Sequence, residues 1–92
     1  MGTLNLRQNL DPELHILRSA VRTIEDRSVR AEAATARHKL FESLDSGELG
    51  DARRWLSALK VALDTMPGDF DAHTYWSVRN ALKAITEALV EA

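Results

Sequence analysis

The sequence predicts an all-α fold: an antiparallel helical bundle of three helices with a long first helix, or of four if that helix breaks near residues 26–28. Three observations predict it. Leu49, Ala52, Leu56, Leu59, Leu63 and Met66 step by 3, 4, 3, 4, 3, and Tyr75, Val78, Leu82, Ile85 and Leu89 step by 3, 4, 3, 4. Alternating steps of three and four hold side chains on one helical face, so each run is an apolar stripe that needs a partner. Pro67-Gly68-Asp69 stands between the runs as a turn signal. No segment alternates with period two, so no strand is expected.

Residues 1–10 read as an N-terminal arm, with Leu4, Leu6 and Leu10 spaced irregularly. Asp11-Pro12-Glu13 is a helix start: Asp caps free N–H groups, Pro is tolerated in the first turn, and Glu complements the helix dipole. A helix over about 12–45 follows, ending at Gly47, a residue that adopts the left-handed C′ conformation without penalty. Its stripe changes face in the middle. Leu10, Leu14, Leu17, Val21 and Ile24 make one line, and Val29, Ala33, Ala36, Leu40 and Leu44 make another. The five-residue step between them turns the apolar face by more than a third of a revolution at about 100° per residue. No Gly or Pro marks a break there, which favours one continuous helix, while Asp26 and Ser28 are each able to cap a new one. The remaining helices are expected at about 48–66, capped by Asp45, Ser46 or Asp51, and at 69–91, capped by Asp69.

A continuous first helix of about 34 residues would span roughly 50 Å and overhang its shorter partners. An overhanging apolar stripe is most simply covered by a second copy of the chain. Ninety-two residues make a single helical domain, 1–92. A chain of this size buries roughly 60% or a little more of its unfolded surface, so self-association would add stability.

Composition excludes several classes of function. With no cysteine there is no disulfide framework, thiolate metal site or cysteine nucleophile. A net charge of −2 gives no electrostatic footprint for nucleic acid. No apolar run approaches the roughly 20 residues of a membrane span. Met1-Gly2-Thr3-Leu4 lacks the basic flank and apolar core of a signal peptide, so a cytoplasmic setting is expected. Arg outnumbers Lys nine to three. That ratio fits a GC-rich bacterial coding sequence first, and only second a demand for bidentate anion binding.

No catalytic constellation, phosphate loop or metal motif is visible, and no cofactor is expected. His15, His38 and His73 are too widely spaced for two ligands on one helical turn. If the first helix is continuous, the Val29–Leu44 stripe extends backwards onto Asp26, Arg22, Arg18 and His15. Arginines aimed into a helical bundle can clamp a carboxylate or phosphate. Small all-α enzymes such as chorismate mutases hold a dianionic substrate by this logic, although that family's binding positions do not map onto this chain. His15, Arg18 and Arg22 are therefore the anion-binding candidates of an alternative, enzymatic or ligand-binding reading.

Trp55 flanks the Leu49–Met66 stripe beside Ala58 and Ala62, as a residue covering a core edge would. Trp76 lies off the Tyr75–Leu89 stripe, near Arg79, Lys83 and Val90. A tryptophan among basic residues on an outer face suits an interface anchor. Trp76, Arg79 and Val90 are thus the interaction candidates. Gly50-Asp51, Ala62-Leu63 and Pro67 resemble in spacing the second helix of a tetratricopeptide repeat. The likeness covers about 20 residues once, and a solenoid needs about three repeats. The leading expectation is a small protein-interaction module (adaptor, inhibitor, immunity protein or accessory subunit) that self-associates. Its partner would be another protein or a second copy of itself, with no nucleic acid and no membrane.

Overall fold

A computed structural model describes residues 6–64 and 70–91, all helices and short links. Five helices are described: α1 (Leu6–Asn9), α2 (Asp11–Arg22), α3 (Arg27–Ser46), α4 (Leu49–Asp64) and α5 (Ala72–Glu91). The arm before residue 6, the end of the 48–66 helix at Met66 and the Pro67-Gly68-Asp69 turn lie outside the described residues.

The continuous helix expected over 12–45 is corrected: it is two helices, α2 and α3, separated by Thr23–Asp26. The five-residue step explains the break. A straight helix cannot turn both Ile24 and the Ala33–Leu44 line into one core, and Ile24 is wholly buried. Thr23 closes α2, its hydroxyl donating to the Ala20 carbonyl at 2.7 Å. Asp26 is extended and its carboxylate accepts the Val29 amide at 3.0 Å, so it caps α3. In an unbroken helix the Ile24 carbonyl would accept from residue 28. Here the Arg30 guanidinium donates to it at 3.0 Å, so that carbonyl is not left stranded by the break.

The start of α2 also differs from expectation. Leu10 holds the cap position with no side-chain cap bond, and Asp11 lies inside the first turn. The Asp11 carboxylate instead pairs back to Arg7 at 3.2 Å. Arg7 also reaches Asp45 at 3.2 Å and stacks over the Phe41 ring, tying α1 to the far end of α3. These carboxylates, the Asp45 hydrogen bond foremost, hold the Arg7 pKa above its ordinary value. At the end of α3, Gly47 is left-handed (φ 80°), its N–H points to the Leu44 carbonyl, and Glu48 N–H bonds to the Ser43 carbonyl. That pair of bonds is a Schellman stop. The start expected at 69 with Asp69 as cap is corrected: α5 begins at Ala72, and the cap is Asp71, whose carboxylate accepts the Thr74 amide at 2.7 Å.

Each of the four longer helices packs mainly on two of the other three, in the order α2, α3, α4, α5 and back to α2, and α1 lies against α2 and α3. The most extensive contact is α3 on α4, followed by α2 on α5. Both α3 and α4 bury alanines (Ala33 and Ala36, Ala52 and Ala62), which lets their backbones approach closely. The α4 and α5 stripes therefore do not mainly serve each other: α4 spends more of its surface on α3, and α5 on α2. One cluster of leucines, alanines, valines and isoleucines runs through all four helices, with Leu17, Leu40, Leu59 and Ile85 at its centre. Arg53 on α4 donates to the Leu89 carbonyl at 2.7 Å, satisfying an acceptor in the last turn of α5. The radius of gyration is 12.5 Å, close to the roughly 12 Å of a single packed domain of this length.

Candidate functional site

The apolar face of α5 is spent on the core through Val78, Ala81, Leu82, Ile85 and Leu89. Its outer face carries Trp76, Arg79, Lys83, Glu87 and Val90, all exposed. Trp76 is 61% exposed and Val90 75%, two of the four large apolar side chains exposed among the described residues, both on a helix whose other side is packed on the core. Trp76 stands edge-on to Tyr75, ring centroids 5.6 Å apart at 79°. Arg79 lies against the same tyrosine, its guanidinium 5.5 Å from the ring centroid and 3.1 Å from the phenol oxygen. The indole is thus propped upright by a ring that is itself clamped one turn later.

An open groove of about 880 Å³ runs beside this ridge, between the C-terminal half of α4 and α5. Leu63, Val78 and Leu82 contribute apolar floor, Phe70 and Tyr75 lie partly buried along it, and Lys60 and Asp64 form the opposite bank. The interaction candidates Trp76 and Arg79 both line it, while Val90 lies beyond its end on the same helix.

A second, shallower groove of about 500 Å³ lies between α3 and α4. Val29, Thr35, Trp55, Ala58 and Val61 line it, and Val61 is 67% exposed. Trp55 covers the edge of the core there, half-buried and packed against it.

The alternative site candidates share a side of α2 but form no concavity with either groove. His15, Arg18 and Arg22 are exposed and line neither of them. With the helix broken at 23–26, the seam that was to carry them into the bundle does not exist. One neighbour was not anticipated: Arg37 of α3 is half-buried and close enough to Arg18 to feel its charge. Burial first, and the Arg18 charge second, push the Arg37 guanidinium below its ordinary pKa. His38 sits 3.4 Å from Glu42 on the surface of α3, and His73 is exposed at the start of α5. Among the described residues no group of three or more His, Cys, Asp or Glu is arranged to hold a metal ion. None of the described helices is long and apolar enough to cross a membrane.

The sequence places Trp76, Arg79 and Val90 on the outer side of the last helix, and they are exposed there, as is Glu87, which shares their face and was not among the candidates. The signal was present: Glu87 stands four residues after Lys83 and eleven after Trp76, three full helical turns. No protein-family model, no curated protein and no solved structure matches this chain.

Proposed function

We propose that this protein is a small helical protein–protein interaction module that self-associates as a homodimer through the outer face of α5. The reading places it as an adaptor, inhibitor, immunity protein or accessory subunit, in a bacterial cytoplasm. It takes the bundle as four helices, α2 to α5 in a ring, since each of these helices already has two neighbours. That closure removes the overhanging first helix as a reason to dimerise. The support passes instead to one observation: Trp76 and Val90 stand exposed on a helix whose core-facing side is complete.

Burying most of an indole removes on the order of 100–150 Å² of apolar surface, worth about 3 kcal/mol at ~25 cal/mol/Å². A twofold contact would gain this twice. The test is solution mass by sedimentation or light scattering across a wide concentration range. The mass is expected to rise from 10.3 kDa towards twice that value, and Trp76→Ser or Val90→Ser is expected to return it to the monomer with the helical circular dichroism unchanged and the concentration dependence of the melting temperature lost. A mass of one chain at every concentration would refute the reading.

A further inference from the structure

We propose that the outer face of α5 is self-complementary, so that two copies pair their fifth helices antiparallel about a twofold axis at Lys83. The inference rests on the self-association reading and adds its geometry. Trp76, Arg79, Lys83, Glu87 and Val90 follow one another by steps of 3, 4, 4 and 3. The series reads the same from either end. At about 100° per residue all five fall within an arc of roughly 80°, one ridge along the helix, and all five are exposed.

In an antiparallel helix pair about an axis at residue n, position n+k faces position n−k of the other chain. With the axis at Lys83, Trp76 faces the partner's Val90 and Val90 faces the partner's Trp76. Arg79 faces the partner's Glu87 and Glu87 faces the partner's Arg79. The two exposed apolar groups and the two opposite charges are matched by a single operation. Neither Arg79 nor Glu87 makes an ion pair among the described residues, and the Arg79 guanidinium, which donates to the neutral Tyr75 phenol, still carries an uncompensated charge. The opposite bank of the groove adds Lys60 and Asp64, one charge of each sign, and so does not bias the match.

The same residues argue against other arrangements. A parallel pairing of the two helices sets Arg79 on Arg79, Lys83 on Lys83 and Glu87 on Glu87, all like charges. Moving the axis by one residue sets Arg79 against position 85 or 89, which face the core. The cost of the antiparallel register falls at its centre, where two Lys83 ammonium groups meet. Their long stems allow the charges to splay into solvent. The seam is about 21 Å long and one helix wide, which is small for a stable interface, so the dimer is weak and concentration-dependent.

The experiment is sedimentation equilibrium on four full-length proteins with circular dichroism as the folding control. Arg79→Glu and Glu87→Arg each turn two attractive contacts into two repulsive ones and are expected to weaken dimerisation about tenfold or more. The double exchange, Arg79→Glu with Glu87→Arg, is expected to restore it to within a few-fold of the original. Because the chain has no cysteine, Lys83→Cys gives an independent reading. On air oxidation it is expected to form a covalent dimer, since a thiol on the axis meets its own copy. Asn80→Cys is expected not to cross-link, its two copies lying beyond the roughly 7 Å Cα separation that a disulfide tolerates. An original chain that stays monomeric would overturn both the seam and the self-association reading. A dimer indifferent to the single exchanges, unrestored by the double one, or cross-linked equally at 80 and 83 would overturn the seam alone.

Discussion

Gly47 and Gly50 lie three residues apart and do opposite things. Gly47 holds φ 80° at the end of α3, where an L side chain is strained whatever the space around it. Gly50 sits in the first turn of α4 with nothing within 4 Å of where a Cβ would stand. Gly50→Ala is therefore expected to raise stability by up to about 0.5–1 kcal/mol, and Gly47→Ala to lower it by about 1 kcal/mol, in denaturant melts. Asp71 makes a second prediction at this scale. Its carboxylate is held below the ordinary value of 3.8, first by the Thr74 amide and then by the Thr74 hydroxyl. A depressed folded pKa means that the cap's contribution is complete above the unfolded value and is lost as pH falls through the folded one. Asp71→Ala is expected to lower the melting temperature at pH 7, with the gap to the original chain closing as pH drops below about 3.8.

At the scale of elements, the decisive feature is the break between α2 and α3. Helix propensity alone gives no reason for it, since residues 22–28 contain neither Gly nor Pro. It is built from one cap and one long side chain: Asp26 takes the Val29 amide, and Arg30 takes the Ile24 carbonyl. Asp26→Ala is expected to cost about 1 kcal/mol, the usual loss of an N-cap. Arg30→Met keeps the stem but strands the carbonyl, and is expected to cost a comparable amount. Both are measurable by chemical denaturation, and a continuous α2–α3 helix would be indifferent to either change. The two apolar stripes of α4 and α5 were legible because their 3–4 stepping is unbroken. Their partners were not, because an apolar stripe specifies that it will be covered and not by which helix.

For the whole molecule, the core and the outer face of α5 separate cleanly. Leu40 is wholly buried at the centre of the cluster, so Leu40→Ala is expected to cost about 2–5 kcal/mol. That is a large share of the roughly 5–15 kcal/mol that holds a domain of this kind together, and thermal or denaturant unfolding reads it directly. The candidate site was partly legible for a reason of the same kind. Trp76 and Val90 stand out because they fall off the stripe that the core requires, and Arg79 because it lies one turn from Trp76. His15, Arg18 and Arg22 are exposed residues of α2, and their supposed pocket depended on a helix that does not run through. By itself the sequence determined the all-helical class, most of the core-facing residues of each helix (Tyr75 is the exception that lies along the outer groove) and the stop at Gly47, because periodicity and backbone conformation are local properties. Only the tertiary structure decided that the chain bends at 23–26 and that α3 pairs with α4 and α2 with α5. Those choices depend on burying Ile24 and the Ala33–Leu44 line in one core, a demand that no single stretch of sequence expresses.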